Sequence, residues 1–309
     1  MDLCNKHRRY FRIAGVTVGV ESDLDFDAVR FGPEFAPFAA DGPGDDNVTL
    51  YHCFKKPDIS AADLGKELCR KQAWAVSHKD DTWFYRSLGT KEADNEVQRL
   101  AVFDGAHERG TIYSPPGDEA DVREYGWDSL FLLATDQIWL TQLLADRHAV
   151  LLHSAGVILN GRGLLFVGHS GAGKSTIVEM LKSAVTGGLG LRPSSLEILC
   201  DDRNVVRRWD EGWRVHGTWS HGDVSDVSSA SAPLAAILFL QQDSRNEIVP
   251  MTDRKGIWRI LLATLIKAMV TAEWWQKELS VLEQIVSEVQ CYSMHFDKSG
   301  VIVGALLNL

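Results

Sequence analysis

Residues 168–176 read Gly168-His169-Ser170-Gly171-Ala172-Gly173-Lys174-Ser175-Thr176. Gly168 and Gly173 enclose four residues, and Lys174 and Ser175 follow at once. Each type has a use at that spacing. Glycines let the backbone turn tightly and bring successive N–H groups onto anionic oxygens. Lys174 carries positive charge to the outer phosphates of a nucleotide, and the Ser175 hydroxyl suits magnesium. The stretch therefore predicts a site for a nucleoside triphosphate, ATP with Mg2+, held by all nine residues. The competing reading is a glycine-rich turn that matches by chance. The flanks oppose it: Gly163-Leu164-Leu165-Phe166-Val167 reads as an apolar strand, and the residues from Thr176 carry apolar side chains at helical spacing. Strand, glycine loop, helix is the arrangement such chemistry needs, because the helix N-terminus adds its own N–H groups and dipole.

A second set of groups follows the loop. Leu199-Cys200-Asp201-Asp202 ends an apolar run in two acids. An acid at the end of a buried strand after a phosphate loop supports magnesium directly or through water. Adjacent strand residues point to opposite faces, so one acid is free to serve the metal and the other the attacking hydroxyl. A surface turn leaving a strand is the bland alternative. His153 lies on a predicted strand one hairpin before the loop, next to the small residues Ser154, Ala155 and Gly156, which leave room for a ligand or another backbone.

The elements that position these groups follow from periodicity and punctuation. The N-terminal part is β-rich, with strands expected at 10–20, 47–54, 74–77, 82–86, 100–103 and 111–113 between turns rich in Pro, Gly and Asp. A helix is expected at 128–144 with Asp128 as its cap, then a strand at 149–159. Asn160-Gly161 is a strong hairpin signal, so the strand before the loop is paired antiparallel and the sheet is expected to be mixed. Further on come a strand at 195–200, a hairpin of 205–209 and 213–215, a strand at 234–240, helices at 257–269 and 274–286, and a closing strand pair, 291–296 and 301–307. The organisation expected is a β-rich N-terminal domain, 1–127, for recognition of a substrate or partner, followed by an α/β domain, 128–309.

Bulk properties narrow the classes. The chain has 309 residues, 45% hydrophobic and 24% charged, with a formal net charge of −10. That composition is globular, and the acidic balance disfavours nucleic acid as a partner. The five cysteines, Cys4, Cys53, Cys69, Cys200 and Cys291, are odd in number and lack C-x-x-C spacing, so scattered thiols in a reducing compartment are expected. The N-terminus lacks a signal-peptide pattern, and the apolar run 260–270 is too short to span a bilayer and contains Lys267. A cytoplasmic protein without a membrane partner is expected. Of the ten tryptophans, Trp74, Trp83, Trp127, Trp139, Trp258, Trp274 and Trp275 read as core or interface residues.

In order, Leu152-His153-Ser154-Ala155-Gly156-Val157, the hairpin, the glycine loop and Leu199-Cys200-Asp201-Asp202 resemble the HPr kinase/phosphorylase family, whose nucleotide-binding fold is similar to that of phosphoenolpyruvate carboxykinases. The resemblance covers residues 149–240 and extends loosely to the C-terminus. It implies a mixed-sheet P-loop kinase domain in which 168–176 holds the triphosphate. Lys174 would contact phosphate oxygens, and Ser175 and Asp201 would serve the metal. Asp202 is favoured over Asp201 as the base towards a serine hydroxyl, with His153 orienting it.

The departures are as informative. His169 stands where the family usually has an acid, and the family's second signature, with its metal-binding Glu, is not recognisable. In its place, Val215-His216-Gly217-Thr218-Trp219-Ser220-His221-Gly222-Asp223 is similar to a Gly-Thr-(Pro)-Trp-x-Gly segment of kinase-like homologues outside the HPr system, without the Pro. His221 and Asp223 are candidates there for contacts to substrate or nucleotide, against the reading of an exposed loop, and the run 222–233 is a candidate lid. Of Arg203, Arg207 and Arg208, one is a candidate phosphate ligand and the others read as solvated.

The expectation is a serine-directed kinase whose acceptor is a protein, a peptide or free serine, and not HPr. Its alternative is a nucleotide-gated binding module with little or no transfer activity. The acceptor, reversibility and oligomeric state stay open, a homo-oligomer included.

Overall fold

The computed structural model describes residues 7–59, 61–71, 73–88, 97–131, 136–186, 192–267 and 271–309. The chain forms two compact units, one of residues 1–143 and 267–275, the other of residues 144–266 and 276–309.

The first unit is built on a nine-stranded sheet. In chain order its strands are β1 (Arg8–Ile13), β2 (Val16–Ser22), β3 (Ala39–Ala40), β4 (Asp46–Cys53), β5 (Lys66–Arg70), β6 (Trp74–Lys79), β7 (Thr82–Leu88), β8 (Val97–Asp104) and β9 (Arg109–Tyr113). They lie in the order β3-β1-β2-β4-β9-β8-β7-β6-β5. β2, β4 and β9 run parallel, and the other neighbours are antiparallel. The run 10–20, expected as one strand, is a hairpin, because Ala14 and Gly15 turn the chain with φ of 47° and 83°. Trp127 packs against Phe26, Phe31 and His52.

Two helices differ from expectation. α1 (Asp118–Tyr125) forms where only turn punctuation was legible, and Asp118, Glu119 and Asp121 place negative charge in its first turn, as the helix dipole favours. Of the helix expected at 128–144, residues 128–131 are not helical, and the described part is α2 (Asp136–Ala145). Asp128 does not cap it. Instead the Asp136 carboxylate accepts hydrogen bonds from the N–H groups of Leu130 (3.3 Å) and Phe131 (2.9 Å). Residues 132–135 of that expected helix lie outside the described residues.

The second unit carries β10 (Ala149–Leu159), β11 (Arg162–Val167), β12 (Leu196–Cys200), β13 (Arg203–Trp209), β14 (Gly212–His216), β15 (Ser231–Gln242), β16 (Glu247–Pro250) and β17 (Cys291–Phe296). The eight strands form one mixed sheet. Two long strands join its halves. β10 pairs with β13 through residues 149–153 and with β11 and β12 through its second half. β15 pairs antiparallel with β14 at its start and parallel with β11 and β17 afterwards. Asn160 and Gly161, with φ of 52° and 78°, close the β10–β11 hairpin.

α3 (Lys174–Thr186) follows β11 and buries Ile177, Val178 and Leu181, at one-turn spacing, against Ala155, Val157, Phe166 and Leu238. α4 (Arg254–Thr264) starts at Asp253, whose carboxylate accepts the Lys255 N–H at 3.1 Å. It ends earlier than expected: Leu265 already forms a β-bridge with Leu152, and residues 268–269 lie outside the described residues. α5 (Ala272–Glu288) follows.

The final strand pair is a correction. β17 forms, but residues 302–307 are helical, α6 (Ile302–Leu307). Ile302, Val303 and Leu306 are buried in the α3 core at one-turn spacing, and β17 takes β15 and β16 as its neighbours instead. Among the described residues no helix is long and apolar enough to cross a membrane, and Cys53, Cys69, Cys200 and Cys291 are free thiols.

Leu238 is fully buried in the core beneath α3. Leu238→Ala is expected to destabilise the second unit by about 2–5 kcal/mol, read as a lower chemical-unfolding midpoint for that unit. A shift within error would place Leu238 outside the core.

Candidate active site

The glycine loop joins β11 to α3, so the end of a central strand and the start of a helix fix both its ends. Gly173 has φ of +103°, and a Cβ there would lie 2.7 Å from Phe296 Cζ, which excludes ordinary side chains. The Gln242 amide donates to the Gly171 carbonyl at 2.8 Å and ties the loop to the end of β15. The first turn of α3 has N–H groups without intrahelical acceptors, and it opens at Lys174. His169 is exposed, its Nδ1 2.6 Å from the carbonyl of Ser170.

Lys174 is 8% exposed. Burial lowers its pKa, while the charges of Asp202 and Asp201 act in the opposite direction. Its ammonium donates to the carbonyls of Gly168 (3.2 Å) and His169 (3.4 Å) and approaches His153 Nε2 at 2.9 Å. An ammonium only donates, so Nε2 is the acceptor, which leaves Nδ1 as the nitrogen that donates. That N–H faces Asp202, with Oδ1 at 3.0 Å and the main-chain oxygen at 3.1 Å. Lys174, His153 and Asp202 thus form one directed chain of hydrogen bonds. His153 is placed for it by β10, where it shares a strand face with the core residues Ala155 and Val157, on the α3 side.

The two acids occupy different surroundings. Asp201, 2% exposed, accepts from the Ser175 hydroxyl (2.8 Å) and from the N–H groups of Gly222 (2.6 Å) and Val224 (3.0 Å). Asp202 pairs with Arg203 at 2.7 Å and accepts from the Ser220 hydroxyl at 3.3 Å. Burial pushes the Asp202 carboxyl upward, but the His153 hydrogen bond and the Arg203 charge outweigh it and hold the group below its ordinary value. The acids separate because the chain turns between β12 and β13, both partners of β10. The Asp202 carbonyl accepts the Ser154 N–H at 3.0 Å, which pins that turn.

The structure thus brings together Lys174, Ser175, Asp201, Asp202 and His153, and leaves His169 and His221 at the surface. Arg203 and Ser220 belong to the same cluster, and the sequence placed neither beside Asp202. Arg203 donates to the Ser220 hydroxyl as well as to Asp202. The segment 217–224 is exposed only at 221–223: Thr218 and Trp219 are buried, and the Thr218 hydroxyl donates to the Arg203 carbonyl at 2.7 Å. Nor is 222–233 a free lid. Gly222 and Val224 are bound to Asp201, the Ser228 N–H to the Leu199 carbonyl at 2.9 Å, and β15 begins at Ser231.

The arrangement offers N–H donors and an ammonium for an anion. Beside them lie a hydroxyl and a carboxylate, Ser175 and Asp201, as hard oxygen ligands of the kind magnesium takes. A second carboxylate, Asp202, is oriented by Nδ1 of His153.

The model of the family described as SynChlorMet cassette protein ScmC matches residues 129–294, just over half of the 309 residues. No curated protein matches the chain. Among solved structures it is similar to the HPr(Ser) kinase/phosphatase from Coxiella burnetii, at 8% identity and a TM-score of 0.29, over 51% of this chain and 93% of that one.

The depressed Asp202 pKa sets a pH window. A carboxylate titrates near 3.9 when unfolded and lower here, so its interactions stabilise the fold above that value and are lost as pH falls through the folded value. The stability gap between the chain and Arg203→Met, measured by chemical unfolding, is expected to be flat from about pH 7 to pH 5 and to narrow below about pH 4. A gap unchanged down to pH 3 would mean that Arg203 does not stabilise through Asp202.

Proposed function

The chain belongs to the SynChlorMet cassette protein ScmC family, and we propose that it is an ATP- and magnesium-dependent kinase acting on a serine-type hydroxyl of a protein, a peptide or free serine. The observation that carries this reading is the chain from Lys174 through His153 to Asp202, lying next to the Ser175–Asp201 pair. A nucleotide-holding loop alone would need no second, oriented carboxylate.

In the proposed reaction the acceptor oxygen bonds to the γ-phosphorus as the bond from that phosphorus to the bridging oxygen of the β-phosphate breaks. ADP leaves, and the hydroxyl proton passes to Asp202. A loose transition state asks mainly for alignment and charge neutralisation, and a carboxylate suffices as base when the proton moves late. In the free chain Lys174 is satisfied by two loop carbonyls and His153. Phosphate oxygens are stronger partners for an ammonium, and in the proposed complex they take it over. His153 keeps Asp202 in place through Nδ1, and Arg203 and Ser220 hold its other oxygen. Ser175 and Asp201 would hold magnesium, which supplies charge neutralisation on the phosphates.

Label transfer from γ-labelled ATP to candidate serine acceptors tests the reading. Asp202→Asn is expected to lower transfer by about 10²–10⁴-fold while MgATP affinity stays within a few-fold, whereas Lys174→Ala weakens both. Vigorous transfer by Asp202→Asn would remove the base role. If no acceptor is labelled but a partner's affinity follows the nucleotide, the chain is a nucleotide-gated binding module instead.

A further inference from the structure

A cleft of about 510 Å³ opens on the flank of α3, with Ser175 but not Asp202 in its lining, within the roughly 300–1,000 Å³ typical of small-molecule sites. It starts at Ser175 and Thr176 and runs along Glu179, Met180 and Ser183. Its other wall is formed by Asp223 and Val224 and by the turn Lys298-Ser299-Gly300. That turn is built in advance. The Asp297 carboxylate accepts the N–H of Ser299 at 2.9 Å and its hydroxyl, the Ser299 hydroxyl accepts the Val301 N–H at 3.3 Å, and Gly300 has φ of +80°.

We propose that this cleft holds the nucleoside end of the nucleotide, ribose and base; the inference rests on the kinase reading above. The direction of the ligand follows from the site. Lys174 and Asp202 mark the end where the phosphoryl group reacts and neither lines the cleft, whereas Ser175, bonded to Asp201, does. A triphosphate lying from Lys174 past Ser175 delivers its α-phosphate to Thr176, where the cleft begins. The lining fits a nucleoside and not another phosphate. Glu179 and Asp223 repel phosphate oxygens but accept from ribose hydroxyls. Met180 and Val224 give apolar contact to a ring, and Lys298 brings positive charge to the rim.

The test compares two anions, MgATP and magnesium tripolyphosphate, by titration calorimetry on the full chain. Both should bind, MgATP at least about tenfold tighter. Ser183 is exposed on α3, so Ser183→Trp fills the cleft without entering the core. That variant is expected to lose the MgATP advantage and keep tripolyphosphate affinity within about twofold. The isosteric Glu179→Gln is expected to weaken MgATP alone, by about three- to tenfold. If Ser183→Trp and Glu179→Gln bind MgATP as the unaltered chain does, the nucleoside lies elsewhere and this assignment is overturned while the kinase reading stands. If Ser183→Trp loses both anions, Glu179→Gln decides: selective loss of MgATP upholds the cleft, and unchanged binding overturns it. If neither anion binds the unaltered chain, the nucleotide reading itself fails and the cleft assignment falls with it.

Discussion

A lysine ammonium at 8% exposure is the constraint around which the second unit is arranged. An isolated buried charge costs several kcal/mol, and the group resists by losing its proton. Here desolvation does lower the Lys174 pKa, and two carboxylates act against it. The ammonium also has three acceptors, two carbonyls of its own loop and one imidazole nitrogen. Those acceptors come from two places, the β11–α3 connection and the middle of β10. The antiparallel pairing of β10 with β11 sets one beside the other. The hairpin at Asn160-Gly161 is therefore part of the site, because it fixes the register that puts His153 within reach of Lys174.

The same pairing explains why two neighbouring acids have separate surroundings. β12 and β13 both pair with β10, so the short connection between them, Asp201 and Asp202, must turn where β10 passes from one partner to the other. Asp201 is carried towards α3 and meets Ser175. Asp202 is carried along β10 and meets His153. Amides from residues 222 and 224 then close over Asp201, and Ser220 closes over Asp202. One segment, 217–224, thus serves both carboxylates, which accounts for the burial of Thr218, Trp219 and Val224 in a stretch whose composition reads as loop.

Much of this was legible because its signals are local. The glycine loop, β10, the two-residue turn after it and the helix that follows are each marked within about ten residues, and so are the hairpins β6–β7 and β13–β14. What was not legible depends on distant partners. The run 301–307 is apolar enough for a strand, and only the core into which Ile302, Val303 and Leu306 fit makes it α6. Ala14-Gly15 is a weak turn signal, and the parallel alignment of β2, β4 and β9 has no local signature. Nothing local separates Arg203 from Arg207 and Arg208 as the partner of Asp202, because Ser220, which bridges the two, lies 17 residues from Arg203. The resemblance to HPr kinases likewise rests on the order of motifs from β10 to β12, a feature of the chain and not of the whole fold.

The histidine between lysine and carboxylate has a role that other hydrogen-bonding residues would fill less well. An amide side chain in its place could accept from Lys174 and donate to Asp202, but it cannot take up a proton. Imidazole can, once its acceptor nitrogen is released. In the free chain Nε2 is occupied as the acceptor of Lys174, and Nδ1 faces Asp202. On the proposed reading a triphosphate draws Lys174 away, Nε2 becomes available, and the proton that the acceptor hydroxyl gives up has a second acceptor beside Asp202. Occupancy of the loop and readiness of the base are then linked through one side chain. That linkage would disfavour general-base action in an empty site, where it has no phosphate to serve.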